Sequence, residues 1–211
     1  MIVPNVDLRS ELLSVRHQGR RQSCLSFASS AAHEHQVGSG EHLSVEYLYF
    51  HSVARTPGKN PNVGTTFAAA AAALFEEGQP VEAAWPYTPV AILPWIPPKI
   101  TCPLHKGVMR PGKCNFEDVI AALGQGSPVI LGLVITDAFL RPDGEGRVVF
   151  TTPDTDRGGH AVLAVGHGTS AAGEQMLLIR NSWGKSWGIE GYGWLPRPYI
   201  ERQLHETALL T

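Results

Sequence analysis

At 211 residues the chain is long enough for one good core, or for two lobes of roughly 100 residues each. Hydrophobic residues make up 43% and charged residues 17%, a balance that suits a buried core and excludes an intrinsically disordered chain. The formal net charge is −2 and Arg20-Arg21 is the one basic doublet, which excludes the clustered footprint of a nucleic-acid binder.

No apolar run reaches the roughly 20 residues of a membrane span. The longest, Phe67 to Phe75, is mostly alanine. Met1 to Asp7 lacks the basic start and apolar stretch of a signal peptide, so the sequence reads as soluble, cytoplasmic or delivered by other means, with no membrane partner. The odd cysteine count does not suggest a disulfide-stapled domain. Either Cys102 and Cys114 pair and leave Cys24 free, or all three stay reduced, which the low count favours.

In chain order, residues 1–14 read as an extended arm. A helix follows from about Ser23 to about Gln36, stopped by Gly38-Ser39-Gly40 and rich in small residues that suit tight packing between two lobes. Leu43 to Phe50 reads as a second helix with Ser44 as N-cap. A third starts at Thr65 or Thr66, runs through the alanines to Glu77 and stops at Gly78. Residues 79–114 hold so many prolines that little regular structure can form there, and they read as the crossing between lobes. Asn115 to Leu123 is a short capped helix. Beyond it the period changes: Pro128 to Thr136, Arg147 to Phe150, Ala161 to Val165, Met176 to Arg180 and Gly191 to Leu195 read as strands between Gly-rich turns. A helical first half and a β second half predict an α+β fold with segregated lobes.

Three residues stand out chemically. Cys24 opens the first helix, where the positive end of the macrodipole favours a thiolate. His160 begins an apolar strand and Asn181 ends another. Taken singly, each has an ordinary structural explanation: a small buried hydrophobe, a core histidine, a strand-end amide. Together they are one of the recurring nucleophile–base–orienter sets. His160 follows Cys24 by 136 positions, within the papain-type spacing of about 130–150, and Asn181 follows by 157, slightly beyond it.

The motifs around them resemble the papain (C1-type) family of cysteine peptidases. Val15 to Gly19 and Ser23 to Phe27 resemble its nucleophile segment, and the six-residue step from Gln18 to Cys24 matches its oxyanion glutamine. Gly159 to Val162 resembles its histidine segment, and Asn181 to Gly188 with Gly191-Tyr192-Gly193 its asparagine segment. Weaker matches lie at Leu43-Ser44 through Tyr47, Gly64-Thr65-Thr66 and Trp85-Pro86-Tyr87. The resemblance covers essentially the whole chain in order. The short loops and the ending at Pro196 to Ile200 look more like bacterial members.

The resemblance implies one two-lobed catalytic domain, with a helical lobe at about 15–110 and a β-barrel-like lobe at about 111–211 plus the arm 1–14, and a cleft between them. It implies that Cys24 attacks a peptide carbonyl, His160 exchanges the proton, Asn181 orients His160, and Gln18 with the Cys24 backbone N–H forms the oxyanion hole. Substrate would lie along Gly64 and Thr65, beside Gly159 and Ala161, with Leu131 and Leu133 lining the specificity pocket and Trp183 shielding the Asn181–His160 bond. The expected partners are a peptide or protein substrate and a proteinaceous inhibitor or propeptide in trans; no cofactor or metal is expected, and the chain should be a monomer. Cys102, His105 and Cys114 are too few and too widely spaced for zinc. A papain-fold amidase, deamidase or transpeptidase would use the same groups, and a non-enzymatic binding module would not need all four.

Departures from the family pattern sit at Arg21, where a structural cysteine is usual, at Gln22 in place of glycine, and at Leu25 in place of tryptophan. The long inhibitory propeptide of papain-type enzymes is not in this sequence, so either it has been removed or activity is restrained by other means.

Overall fold

The computed structural model describes residues 2–211. Its helices begin where a side chain takes over an unpaired backbone N–H. In α2 (Val45–Val53) the Ser44 hydroxyl accepts from the Tyr47 N–H at 3.1 Å. In α3 (Phe67–Glu76) Thr66 accepts from Ala69 at 3.2 Å, and in α4 (Phe116–Gly124) Asn115 accepts from Asp118 at 2.8 Å. Of the four longest helices the exception is α1 (Cys24–Val37); the short helices at Asp137–Leu140 and Arg197–Gln203 lack such a bond as well. At α1 Ser23 makes no capping bond, and its hydroxyl pairs instead with the Tyr87 hydroxyl at 2.7 Å. The first-turn amides of α1 are therefore left for something other than a cap. Its far end closes on Gly38 in the left-handed region, as the Gly stop predicts.

Among the described residues seven strands form one antiparallel sheet: β1 (Ile2–Asp7), β2 (Met109–Pro111), β3 (Val129–Thr136), β4 (Asp156–Ser170), β5 (Gln175–Arg180), β6 (Tyr192–Pro196) and β7 (Leu204–Leu210). The order is β2-β7-β3-β4-β5-β6, with β1 on β4. The long β4 carries the architecture. Its first part, to Ala164, pairs with β3; its last part, from Gly166, pairs with the N-terminal arm, and β5 runs along the opposite edge. Two short helices, α5 (Asp137–Leu140) and α6 (Arg197–Gln203), close the remaining connections.

Period-2 alternation in the strands divides the core in two. On one face, Ile130, Ala161, Leu163 and Val165 meet Leu25, Ala28, Ala31 and Ala32 of α1. On the other, Leu131, Leu133, Val162 and Ala164 meet Leu8, Phe116, Val119 and Leu123. The small side chains of α1 let its backbone lie close to β4, which is what brings the start of the helix to the start of the strand.

Three sequence expectations need correction. Arg147 to Phe150 is not a strand: only Arg147 makes an isolated bridge, to Trp194, and the Asp143 carboxylate holds the segment in a turn by accepting the Arg147 N–H at 2.9 Å. The strand expected at Ala161 to Val165 extends over 15 residues, because its polar and glycine-rich ends are also paired. Beyond Leu195 the chain adds α6 and β7, which the sequence reading left undrawn; the exposed His205 and Glu206 interrupt the apolar signal of β7. Cys102 and Cys114 do not pair, and all three cysteines are free. Among the described residues no helix is long and apolar enough to cross a membrane, and no group of three or more Asp, Glu, His or Cys could hold a metal ion.

Candidate active site

A groove of about 670 Å³ opens where the N-terminus of α1 meets the start of the paired part of β4. Cys24 is the first residue of α1, and His160 lies beside it at the mouth of β4. Burial by itself would push the Cys24 thiol up. The hydrogen bond from His160, the charge of that imidazole, and the backbone N–H groups of Ala161 and Leu25 more than offset it, and the thiol is held below its ordinary value. The Leu25 amide is one of the first-turn groups that Ser23 leaves uncapped.

His160 is 7% exposed and its Nε2 faces the Asn181 Oδ1 at 2.8 Å. Nδ1 is then the nitrogen left for Cys24. Asn181 is itself fixed at the end of β5: its N–H donates to the Gly191 carbonyl at 2.9 Å, and its Oδ1 also accepts from the Ser182 N–H at 2.8 Å. The Trp183 ring covers His160 at 4.7 Å between centroids. Phe139 meets both rings edge-on, at 5.8 Å from His160 and 5.7 Å from Trp183, so the Asn181–His160 bond sits under an aromatic cover that keeps water from competing for it.

Gln18 reaches the groove from the other side. The bridge between His17 and Trp183 and the Gln18 N–H to the Ser182 carbonyl, at 2.8 Å, lash the nucleophile segment to the asparagine segment. The Gln18 Oε1 accepts from the Ser182 hydroxyl at 2.6 Å, and Nε2 donates one proton to the Arg21 carbonyl at 2.7 Å. With those contacts fixed, the second N–H of the amide is available to the groove. Gly19 follows at φ +64°, its backbone so close to Pro89 that a Cβ would lie 2.5 Å from the proline ring.

The structure therefore brings Cys24, His160, Asn181 and Gln18 together. Of the expected substrate contacts, Gly64, Thr65, Gly159, Ala161 and Trp183 line the groove. Leu133 touches its floor while packing into the β-side core. Leu131 does not line it: it is fully buried in that core, on the opposite face of β3. The position that does open onto the groove is Gly132, where an added Cβ would press on Phe67 at 3.0 Å and on Glu206 at 3.3 Å. Gln22, which replaces a family glycine beside the nucleophile, faces the groove as its position suggests, whereas sequence reasoning missed Phe67, Gly132, Val134, Ile135, Arg157, Gly158, His205 and Glu206 as groove residues. A glycine inside an otherwise bulky strand was the available signal for the floor; nothing local marked the β7 pair.

A family described as papain family cysteine protease matches over residues 99–208, more than half of the chain. The chain belongs to the papain family. This match spans His160 and Asn181, and the structure adds Gln18 and Cys24 to them. Among papain-family relatives, a cathepsin L-like peptidase of Aedes aegypti is 29% identical over 181 residues, 84% of this chain and 53% of the relative. Cathepsin Q of Rattus norvegicus is 30% identical over 200 residues, 89% of this chain and 56% of the relative. The chain thus spans about half the length of these curated relatives. The fold matches xylellain, a cysteine protease from Xylella fastidiosa, with a TM-score of 0.84 at 25% identity, covering 100% of this chain and 87% of that one. Bromelain from Ananas comosus, solved with an inhibitor, matches in fold at a TM-score of 0.73 and 21% identity, covering 99% of each chain.

Proposed function

We propose that this papain-family chain is a peptidase that hydrolyses peptide bonds in peptide or protein substrates through a covalent thioester. The observation that carries the proposal is the set gathered in the groove: the Cys24 thiol and His160 lining it together, with the imidazole holding the thiol below its ordinary pKa, and His160 Nε2 at 2.8 Å from Asn181 Oδ1.

The chemistry follows from the geometry. In the reaction the thiol proton passes to His160, giving a thiolate and an imidazolium. The thiolate attacks the scissile carbonyl carbon, and the oxygen becomes an oxyanion that accepts hydrogen bonds from the free Gln18 N–H and the Cys24 backbone N–H. As the carbonyl re-forms, the C–N bond breaks and the imidazolium gives its proton to the departing amine. Water then attacks the thioester, His160 takes the water proton, and the carboxylate product leaves as the proton returns to the Cys24–His160 pair. Asn181 keeps the ring in register through both proton transfers, and as a neutral amide it accepts the ring N–H without adding charge beside the thiolate.

The test is mass spectrometry of a protein substrate incubated with wild type, Cys24→Ala and His160→Ala. Wild type should split the chain, and neither variant should. A wild type that adds about one dalton at glutamine side chains without splitting the backbone would overturn the peptidase reading in favour of deamidation, which needs the same groups. An epoxide or iodoacetamide should label Cys24 in wild type at neutral pH, and labelling elsewhere only would refute the thiolate.

A further inference from the structure

Arg21 stands where the family pattern has a structural cysteine, and the structure fills that place with a buried ion pair. The Arg21 side chain is 1% exposed and that of Glu46 is 2%. Arg21 Nη1 donates to both Glu46 oxygens, at 2.8 and 2.6 Å, and to the Thr88 carbonyl at 3.0 Å, while Nε donates to the Pro61 carbonyl at 3.3 Å. The rings of Tyr49, Tyr87 and Trp95 surround the guanidinium at 4.9, 5.3 and 5.0 Å. Glu46 is satisfied in turn by the Trp95 indole N–H at 2.7 Å and the Thr88 N–H at 3.2 Å.

The members of this cluster carry further bonds, and those bonds lead to the groove. The Arg21 carbonyl holds the Gln18 amide at 2.7 Å. The Tyr87 hydroxyl donates to the Gln18 carbonyl at 2.7 Å and pairs with Ser23, the residue before the nucleophile. The Tyr49 hydroxyl lies between the carbonyls of Pro61 and Val63, at 3.1 and 2.5 Å, directly before Gly64 and Thr65 on the groove rim. Four chain segments are therefore joined at one guanidinium: the nucleophile segment, α2, the rim loop and the proline-rich crossing. The planar fork uses two of its arms, Nη1 toward Glu46 and Thr88 and Nε toward Pro61, while Nη2 has no hydrogen-bond partner; two arms in one plane fix the direction of their partners as well as the distance, which a point charge cannot do, and the surrounding rings favour the cation.

We propose that the Arg21–Glu46 pair is a positioning device for catalysis, a non-covalent crosslink that sets the Gln18 amide and the Val63–Thr65 rim in one geometry. Arg21 and Glu46 touch no reacting atom; they act through Gln18 and the rim. The inference rests on the peptidase reading above. Unlike a disulfide at this place, the crosslink is indifferent to reductant.

The experiment compares wild type with Arg21→Met/Glu46→Leu, which removes both charges and so leaves no lone buried ion, and with Arg21→Lys, which keeps the charge and loses the fork. Active sites are titrated by iodoacetamide, and kcat and KM are measured on a peptide substrate per titrated site. In each variant that melts cooperatively, kcat per site should fall by about 10-fold, short of the 10²–10³ of a deleted donor because Gln18 is displaced and not removed. KM should rise as the rim loosens. The alkylation rate of Cys24, a reaction that develops no oxyanion, should stay within about twofold of wild type. A purely structural role would lower the number of titratable sites and leave kcat per site unchanged, and kcat per site within about twofold of wild type in a cooperatively melting variant overturns the proposal. If the double variant does not melt cooperatively, Arg21→Lys decides. Failure of the peptidase reading is separate: wild type would then be alkylated and cleave nothing.

Discussion

Gln18→Ala tests the oxyanion assignment most directly. The side chain is 7% exposed, and two bonds fix it: Oε1 from the Ser182 hydroxyl at 2.6 Å and Nε2 to the Arg21 carbonyl at 2.7 Å. An amide held at both ends needs little reorganisation when the oxyanion forms, so its donor should be worth close to a full preorganised hydrogen bond, about 10²–10³ in kcat. The groove is open to water on one side, which weakens the interaction and points to the lower end of that range. The expected loss is about 100-fold in kcat, or roughly 2.7 kcal/mol at 1.36 kcal/mol per factor of ten. The assay is initial-rate kinetics on a fluorogenic peptide, normalised to sites titrated at Cys24, beside the rate of iodoacetamide alkylation. Alkylation displaces iodide from carbon and makes no oxyanion, so it should be nearly unchanged. A kcat loss below about threefold, or an equal fall in alkylation and turnover, would refute the assignment, because the first means that the donor is not used and the second that the thiolate itself was disturbed.

The pKa balance at Cys24 and the alternation of β3 give four further predictions. The pH dependence of Cys24 alkylation should have its midpoint below the ordinary thiol value of 9.0, because the thiolate is the form the site favours. His160→Ala removes the hydrogen bond and charge that lower it while burial remains, so the midpoint should move up, and a midpoint that stays put would show that His160 does not stabilise the thiolate. Leu131→Ala should cost about 2–5 kcal/mol in chemical denaturation with KM unchanged, since the side chain fills the β-side core. Gly132→Val should instead raise KM by crowding Phe67 and Glu206 across the groove floor, and the reverse pattern in the two variants would mean that the faces of β3 are misassigned.

Much of the site was legible before any coordinates. Cys24, His160, Asn181 and Gln18 each sit in a local motif that resembles a papain-family segment, and the helix caps at Ser44, Thr66 and Asn115 are short-range hydrogen bonds that a sequence displays directly. Strand faces were not legible in the same way. Residues 129–135 are apolar or glycine throughout, so nothing in that run says which face is buried, and Leu131 was placed on the groove when it belongs to the core.

What the sequence by itself determined, then, is where the main helices begin and end and which side chains are candidates for the chemistry, because caps, stops and short motifs are each encoded within a few residues. The tertiary structure decided the rest. It drew the N-terminal arm and β3 along one edge of β4, added β7 and its Glu206 to the groove, and gathered Tyr49, Tyr87 and Trp95 around the buried Arg21–Glu46 pair. Those contacts join residues far apart in the chain, and their energies depend on burial and direction that no local pattern records. In the sequence Arg21 reads as a missing cysteine; only the fold shows the ion pair that stands in its place.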